Sequence, residues 1–461
     1  MSLDSTIKKV RNTVDSAVLS TLANNLWMLV RGPVSLLMIP LFLSDVNQGY
    51  WFTFGSLAAL CTFADLGFTA IVGQFSAHEY AHLRINSEGM LEGNKYYLER
   101  IISLFRFVLK WIATVAGIAI PVIAVIGVLV LNSQGNMSEW LLPWLLYIIG
   151  SGLNFGMGAI LSFFAGCDQI AKIQRNYLIG SITITVATWI LLALNFNLYT
   201  LAITSIFGAV VNLGLLIINF KNILVQMLKT KLTHQFNWRN DFMNLIWKYA
   251  LSWIAGYFIF QIFTPLAFMV FDPIQAGRVG ITLTLIKTFF TIASVWIDVM
   301  VPKINMSVAK HQWKIMGRQL YKGTIMSIVT FTVGAVVMLG GYAMLVGHIA
   351  ILDRFLGIAP MTMLLSAFFL QIIINSIAIY GRSHKIEPFV IPSLIGAAVS
   401  ISITLMAVFT LGINFIFMGI MVSSIVGIVM FIVIFLKRKT TWNLDYEKKH
   451  PILDLKEPIK K

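Results

Sequence analysis

The sequence has few charged residues for its length. Only 11% of its 461 residues are Asp, Glu, Lys or Arg, whereas a soluble domain carries about 25%. Because 58% of the residues are hydrophobic, too few charges remain to cover a soluble globule of this size. The composition therefore excludes an ordinary soluble enzyme and a disordered scaffold, and it indicates that lipid is the solvent for most of the surface.

Acidic residues and cysteines are also scarce. The chain has 19 Asp and Glu against 34 Lys and Arg, and its formal net charge of +15 would by itself suit a nucleic-acid partner. Cys61 and Cys167 are its two cysteines, and both lie in or beside apolar stretches. We expect them to be small buried hydrophobic side chains rather than parts of a disulfide framework.

Common catalytic motifs are absent from the sequence. It has no Walker A motif, no Rossmann fingerprint, no C-x-x-C pair and no G-x-S-x-G elbow. We therefore predict no cofactor and no enzymatic activity, and any transport is not driven by ATP hydrolysed on this chain.

Long apolar runs dominate what the sequence does contain. A membrane-spanning helix needs about 20 such residues. We predict twelve spans and hence an all-α integral membrane protein; the spans are at 18–43, 50–73, 101–131, 140–165, 177–195, 198–220, 247–271, 277–301, 323–347, 360–381, 388–411 and 413–436.

The basic residues predict an orientation for these spans. If the N-terminus is cytoplasmic, all of the 34 Lys and Arg fall in cytoplasmic segments except Arg31, Arg278, Lys287 and Arg354. This asymmetry follows the positive-inside rule and predicts that both termini are cytoplasmic. It accounts for the net charge without nucleic acid, and it places the basic loops against anionic membrane lipids.

The spans divide into two sets of six at a polar connection, 221–246. Shifting the sequence by 228 residues places Gly49-Tyr50 on Gly277-Arg278, and a basic segment follows the second span of each half. An even repeat with both termini on one side is typical of alternating-access transporters, whose site lies between the halves; duplication without transport is the alternative. We predict an N-terminal six-helix bundle (1–228), a C-terminal six-helix bundle (229–440) and a cytoplasmic tail (441–461).

Four of the charged residues within the predicted spans are candidates for a function, because a charge at mid-depth costs at least about 2.5–3.5 kcal/mol. Arg31 is in the first span, Asp65 in the second, and Lys287 and Asp298 in the eighth. One interpretation pairs Asp65 with Arg31 as a structural ion pair. The other places Arg31 and Lys287 in a cavity that binds an anion, and the two are compatible.

Neutral polar residues of the spans are candidates for either helix packing or contacts with a sugar. They are Asn24, Asn154, Tyr257, Gln261, Gln371 and Asn375. In the first span, Gly32-Pro33 is expected to interrupt the backbone hydrogen bonds of the helix, because proline has no N–H.

His78-Glu79-Tyr80-Ala81-His82 matches the H-E-x-x-H motif, in which two imidazoles one helical turn apart bind zinc and the glutamate is the general base. A third ligand would have to come from Glu88, Glu92 or Glu99. The segment follows the second span at the membrane surface, and no third-ligand motif is recognisable. We expect a polar interfacial helix without a metal, and a membrane zinc metalloprotease is the minor alternative.

Two segments carry a family resemblance. Gln48-Gly49-Tyr50-Trp51 and Thr62-Phe63-Ala64-Asp65-Leu66-Gly67-Phe68 resemble the Wzx-type polysaccharide (O-antigen) flippases, whose superfamily also contains the multidrug/toxin extruders and the lipid II flippases. The resemblance implies a V-shaped fold of two six-helix bundles related by a pseudo-two-fold. It also implies translocation of an undecaprenyl-pyrophosphate-linked oligosaccharide across the bacterial inner membrane, together with contacts to glycan polymerase machinery.

The resemblance also implies roles for the charged residues. Flippases of this kind use cations in a cavity, and the matching candidates are Arg31, Lys287 and, nearer the outer mouth, Arg278. Coupling to H⁺ or Na⁺ is left open, with Asp65 as the deep acid and Asp298 nearer the cytoplasmic rim. Independently of the family, Arg or Lys can compensate the charge of a pyrophosphate that leaves water.

The main alternative is a multidrug/toxin extrusion antiporter of the same superfamily. An extruder of organic cations would be expected to present acids rather than bases. A major-facilitator sugar transporter would carry a G-x-x-x-D-[RK]-x-G-[RK] loop after its second span, and this chain has Gln74-Phe75-Ser76-Ala77-His78 there instead.

Overall fold

The structure, a computed structural model, describes residues 23–449 apart from 25, 235 and 385. It is helical apart from one antiparallel hairpin, β1 (Leu83–Ile85) and β2 (Leu91–Gly93). The helices are α1 (Leu26–Phe42), α2 (Asp45–Phe63), α3 (Phe68–Tyr80), α4 (Lys95–Leu131), α5 (Met137–Gly166), α6 (Ile170–Ala193), α7 (Tyr199–Lys229), α8 (Trp238–Phe260), α9 (Phe263–Val270), α10 (Pro273–Asp298), α11 (Val301–Ala309), α12 (Trp313–Leu345), α13 (Ile358–Ser383), α14 (Val390–Leu411) and α15 (Met418–Lys449).

Nine helices of the described chain are long and apolar enough to cross a membrane. They coincide with nine of the predicted spans, so the chain is a multi-pass helical membrane protein. The other three predicted spans, 18–43, 50–73 and 247–271, coincide with helices that are shorter or interrupted, and the first of them begins outside the described residues. The count of twelve therefore stays a prediction.

Two of these spans are interrupted for reasons visible in the sequence. Between α2 and α3 the chain turns through Leu66 (φ 50°) and Gly67 (φ 78°), a left-handed conformation that glycine adopts without steric cost. Between α8 and α9 the break precedes Pro265, which has no N–H to donate to the carbonyl of Gln261.

Gly32-Pro33 does not divide α1, which is helical from Leu26 to Phe42. A single proline removes one backbone hydrogen bond, and a membrane helix tolerates that loss when neighbouring groups satisfy the freed carbonyl. The expected interfacial helix after the second span is only partly correct: α3 ends at Tyr80, and the hairpin follows.

The described chain forms two compact units. The first runs to Tyr257 and includes Thr264–Gly280, and the second comprises Phe258–Phe263 and the chain from Ile281 onward. Trp238 and Phe242 are buried in the core of the first unit, so the start of α8 belongs to that unit. The predicted division at 228/229 stays a prediction.

The predicted tail 441–461 begins inside α15, and its residues from 450 onward lie outside the described chain. Trp442 and Tyr446 of this helical extension are buried in the core of the second unit, beside Tyr380 and Phe389. The described part of the tail is therefore packed on its own unit.

Within the first unit, α2 and the first turns of α10 touch at glycines. A Cβ atom on Gly49 would lie 1.8 Å from the carbonyl oxygen of Pro273, and one on Gly280 would lie 2.2 Å from the Cβ of Phe52. A Cβ atom on Gly277 would in turn lie 3.0 Å from the Gly49 nitrogen. Gly49 with Gly277, and Phe52 with Gly280, are pairs that the 228-residue shift superimposes. Contacts between equivalent positions are the pattern that a two-fold repeat produces.

Candidate functional site

Asp65 lies at the break between α2 and α3, and only 6% of it is exposed. Its carboxylate oxygens accept hydrogen bonds from the Thr69 backbone N–H at 3.1 and 3.2 Å and from the Thr69 hydroxyl at 2.6 Å. The first N–H groups of a helix have no partner within the helix, and an acid there also interacts favourably with the helix dipole. Asp65 therefore caps α3.

A cavity of about 600 Å³ opens beside this carboxylate within the first unit. Its polar lining consists of Asp65, Thr69, Tyr147, Ser151, Asn154 and Ser205, with Cys61 among the apolar groups. A carboxylate surrounded by hydroxyl and amide groups within an apolar bundle is suited to a small cation or to a cationic ligand group.

Asn154 joins the wall of this cavity to α7. Its amide nitrogen donates to the carbonyls of Gly150 at 2.9 Å and Ser205 at 2.7 Å, and its oxygen accepts from the Asn212 amide at 3.4 Å. Every polar atom of the side chain is thus used between helices. This geometry favours the helix-packing interpretation of Asn154, with one face toward the cavity.

A polar stripe of α7 that includes Asn212 is not among the predicted site residues. Ser205, Asn212, Asn219 and Gln226 recur every seven residues, a spacing that keeps them on one side of a helix. The spacing is legible in the sequence and could have identified the stripe.

The two members of the stripe that follow Asn212 along α7 also have hydrogen-bond partners. The Asn219 amide donates to the Asn176 side-chain oxygen at 2.9 Å. The Gln226 side chain accepts from the backbone N–H of Leu91 at 2.7 Å and donates to its carbonyl at 2.8 Å. The stripe therefore connects the cavity side of α7 to the hairpin.

Arg31 of α1 donates to the Ser181 hydroxyl of α6 at 2.6 Å. No salt bridge of the described residues joins Arg31 to Asp65 or to another carboxylate. The ion pair between these two residues stays a prediction, since each has a different partner in this structure.

Lys287 of α10 lies at the other interrupted span, within the second unit. Its ammonium group donates to the carbonyl oxygen of Phe260 at 2.9 Å and to the side-chain oxygen of Gln261 at 3.3 Å. Phe260 is the last residue of α8, so its carbonyl has no regular helical donor, and a cation near a helix C-terminus is favourable. Lys287 and Gln261 are predicted site residues that the structure brings together.

The remaining charged candidates lie at the two ends of α10. Arg278 is half-buried in the second turn, directly after Gly277. Asp298 is the last residue of the helix and is exposed. Neither forms a salt bridge with another described residue.

The neutral candidates are spread over several helices. The Tyr257 ring packs edge-on against Phe63, with centroids 5.3 Å apart. Gln371 donates to the Ser424 hydroxyl at 3.0 Å and thereby joins α13 to α15. Asn375 lies half-buried on α13 and Asn24 half-buried just before α1. Gln371 and Asn375 share α13, whereas Tyr257 lies on α8 and Asn24 precedes α1.

The H-E-x-x-H segment has other contacts. The Glu79 carboxylate is 2% exposed and forms a salt bridge with Arg100 at 2.8 Å. His78 is 79% exposed, and the His82 ring stacks on Tyr97 with centroids 3.8 Å apart. In the described part of the chain, no three His, Cys, Asp or Glu side chains are grouped so that they could hold a metal. Glu79 thus has a structural partner in Arg100.

Three solved structures share this fold. Lipid II flippase MurJ, in an inward closed conformation, matches with a TM-score of 0.62 at 11% identity over 94% of this chain and 91% of that chain. The eukaryotic MATE transporter AtDTX14 matches at 0.56 and 13%, over 95% and 98%. An inward-facing multidrug resistance MATE family transporter of the MOP superfamily matches at 0.56 and 14%, over 89% and 99%.

No family model and no curated protein matches the chain. The structural matches nevertheless cover almost the whole chain, so it has the fold of MOP-superfamily transporters, the superfamily that its sequence resembles. Identities this low establish the fold and not the substrate.

Proposed function

We propose that the chain is a flippase that moves an undecaprenyl-pyrophosphate-linked oligosaccharide, an O-antigen repeat unit or similar surface glycan, from the cytoplasmic to the periplasmic leaflet of a bacterial inner membrane. One observation carries the proposal. Arg31 and Lys287 lie in apolar helices of different units, and both donate hydrogen bonds to neutral oxygen atoms.

Neither of these two residues forms a salt bridge with a carboxylate of the described chain. Because a charge within a bilayer is costly, such residues usually face a partner or a functional cavity. A pyrophosphate supplies the anion that is otherwise missing, and it can accept several charge-assisted hydrogen bonds at once. Arg278, half-buried and without a salt bridge in the described chain, is the third cation that we assign to the pyrophosphate.

The neutral polar residues are assigned to the oligosaccharide. Gln261 lies beside the Lys287 ammonium group, so a sugar near the pyrophosphate would meet an amide first. We assign the same role to Asn24, Asn154, Tyr257, Gln371 and Asn375. The lipid tail can remain in the bilayer, since only the charged and sugar parts need to be shielded from hydrocarbon.

Coupling to H⁺ or Na⁺ is the second part of the proposal. Asp65 is buried beside a cavity of about 600 Å³, and its carboxylate accepts a hydrogen bond from the Thr69 hydroxyl at 2.6 Å. A cation that binds there would stabilise the carboxylate and the turn that it caps. Asp298 is exposed at the end of α10 and is the weaker candidate.

Multidrug extrusion is the second candidate function, and the Asp65 cavity is the observation in its favour. A carboxylate in a cavity of this size could bind an organic cation directly. In that case Asp65 would be the substrate site, and Arg31 and Lys287 would be structural.

The two functions are separated by expression in two bacterial strains, one that lacks its own glycan flippase and one that lacks its own multidrug exporters. We expect restored surface glycan in the first strain and unchanged drug sensitivity in the second. Replacement of Arg31 and Lys287 by Gln should abolish glycan export at unchanged protein level. The control replaces the exposed Lys303 and Lys310 by Gln. Drug resistance that requires Asp65 but not Lys287 would contradict the proposal.

The proposed orientation places both termini in the cytoplasm. Reporter fusions after residues 45, 135, 272 and 353 should then read as periplasmic, and fusions near residues 90, 235 and 385 as cytoplasmic. Two or more reversed sites would contradict the topology.

A further inference from the structure

Helix α12 of the second unit is unlike its neighbour α13. Only 6% of its most apolar stretch is buried in the structure, against 50% for α13. All of its Lys, Arg, Asp and Glu residues are basic, because no acidic residue occurs between Asp298 and Asp353. The helix therefore presents a long face that other described residues do not cover and that carries only positive charge.

The charge is concentrated in a basic row, defined as Lys314, Arg318 and Lys322. These residues are four apart, so they follow one another along one side of the first turns of α12. All three are exposed, and none forms a salt bridge with another described residue. Tyr321, next to the row, is 67% exposed, and a tyrosine at the edge of an apolar run is typical of a membrane interface.

An apolar groove of about 360 Å³ lies further along the same helix, between α12 and α13. Its walls include Thr332 and Val336 from α12 and Thr362, Ser366 and Phe369 from α13. Lys314 and Thr332 are 18 residues apart, as are Arg318 and Val336. This separation is about five turns of 3.6 residues, so the basic row and the groove share one side of the helix.

The basic row and the apolar groove are separated by about half the thickness of the hydrocarbon core of a bilayer. Lys322 and Thr332 are ten residues apart, which is about 15 Å along a helix, and half of the hydrocarbon core is also about 15 Å. The exposed side chains of Ile325 and Val329 fill the interval. A lipid whose phosphate lies on the basic row would thus have an acyl chain long enough to reach the near end of the groove.

We propose that this face of α12 binds one anionic phospholipid, with its phosphate on Lys314, Arg318 and Lys322 and an acyl chain along Ile325 and Val329 into the groove. Charge complementarity selects the headgroup, because the row offers three cations, whereas the acid that contacts the start of α12 is Glu447, which accepts from the Trp313 indole N–H at 2.7 Å. The proposal does not depend on the proposed function, since none of these residues is among those assigned to the glycan.

Binding can be measured on the purified full-length protein in a neutral detergent by native mass spectrometry. The probes are phosphatidylglycerol and phosphatidylcholine with identical oleoyl chains. We expect phosphatidylglycerol to bind at least about tenfold more tightly. Neutralising each cation should weaken the affinity for phosphatidylglycerol about fivefold. The triple variant Lys314→Gln, Arg318→Gln, Lys322→Gln should therefore bind this lipid about a hundredfold more weakly.

A matched control has the same change in charge at another exposed place. Lys221→Gln, Lys229→Gln, Lys231→Gln removes three exposed cations around the end of α7 and should change binding less than about twofold. Exchanging Lys314 and Lys322 for Arg keeps the charge and should keep the affinity, which separates loss of charge from loss of folding.

Two further probes identify the source of the phosphate. Inorganic phosphate and short-chain dihexanoyl phosphatidylglycerol should not displace the long-chain lipid at equal concentration, because neither reaches the groove. Equal affinity for phosphatidylcholine, equal loss in the control variant, or equal competition by inorganic phosphate would each overturn the proposal. Much tighter binding of a polyprenyl diphosphate than of phosphatidylglycerol would overturn it as well, since the face would then hold the substrate lipid.

Discussion

The two interrupted spans place opposite charges at opposite helix ends. At the break between α2 and α3, the carboxylate of Asp65 accepts from Thr69 at the start of the following helix. At the break between α8 and α9, the ammonium group of Lys287 donates to the carbonyl of Phe260 at the end of the preceding helix. Each charge matches the sign that the helix dipole favours at its position.

The difference lies in where each charge comes from. Asp65 belongs to the interrupted span itself and binds only four residues ahead, so its contact is local. Lys287 comes from α10, 27 residues further along the chain, so its contact joins two helices. Breaking a membrane helix exposes backbone groups that need partners. We infer that the Lys287 ammonium group can leave the Phe260 carbonyl for a substrate anion, whereas the local cap made by Asp65 stays in place.

The largest effect is expected from reversing the charge at Lys287. Lys287→Glu would face two oxygen acceptors without a donor and would repel a pyrophosphate, so we expect glycan export to fall at least about a hundredfold, the equivalent of about 2.7 kcal/mol. Lys287→Ala should cause a smaller but still large loss, and Lys287→Arg should retain partial export. Surface glycan at matched protein levels is the measurement.

Lys310 provides the control for this series, since it is exposed just after α11. Lys310→Glu makes the same change in charge and should leave export near normal. Full export by Lys287→Glu would exclude Lys287 as an anion contact and would leave it a purely structural partner of Phe260.

The cap at the other break should have a small effect on stability, which is measured separately from the ion coupling proposed for Asp65. Asp65→Asn and Thr69→Val remove the two sides of one contact, so their effects on the free energy of unfolding should be non-additive by about 0.5–1 kcal/mol. Asp65→Asn and Arg31→Gln should add within about 0.5 kcal/mol, because these residues have different partners. Unfolding in mixed micelles measures both cycles. A strong coupling of Asp65 with Arg31 would instead support their ion pair.

A hydrogen bond between α6 and α7, which belongs to neither break, provides a third contact for the comparison. Asn219→Leu removes the hydrogen bond to Asn176, and side-chain hydrogen bonds between membrane helices average about 0.6 kcal/mol. We expect a loss of stability of this order and little change in export. Ile218→Leu is the neighbouring control, since Ile218 is 78% exposed. A complete loss of export by Asn219→Leu in folded protein would give the α7 stripe a direct role in transport.

The smallest effect is expected at the H-E-x-x-H segment. Glu79→Gln loses the charge on the Arg100 contact but keeps a hydrogen-bond acceptor, so export should be near normal and stability should fall by no more than about 1 kcal/mol. Metal analysis of the purified protein should find no stoichiometric zinc. One zinc per chain together with loss of activity in Glu79→Gln would revive the metalloprotease alternative.

Much of the helical framework can be predicted from the sequence, because a run of apolar residues long enough to cross a bilayer has few other solutions. The break at Leu66-Gly67 is also legible, since Gly67 adopts a left-handed conformation. The continuity of α1 through Gly32-Pro33 is not legible in the same way, because whether a membrane helix continues through a proline depends on its neighbours.

The partners of the charged residues are harder to predict. Ser181 is the acceptor for Arg31, but the two residues are 150 positions apart in the sequence. Neither segment carries a pattern that predicts this contact. Attraction between opposite charges predicts Asp65 as a partner of Arg31, whereas in the structure the Asp65 oxygens accept from backbone and hydroxyl donors of its own turn. Local hydrogen bonds thus take the place of the longer-range ion pair, and a hydropathy pattern carries no information about such bonds.

Direct transport in proteoliposomes tests the central claim, that the unneutralised cations of the two units carry a lipid-linked pyrophosphate. The assay measures how fast a fluorescent polyprenyl-pyrophosphate-linked oligosaccharide becomes accessible in the opposite leaflet. We predict transport by the natural chain, at least about a hundredfold slower transport by Arg31→Gln, Lys287→Gln, and no competition by an organic cation. Equal rates for the natural chain and this double variant would contradict the account.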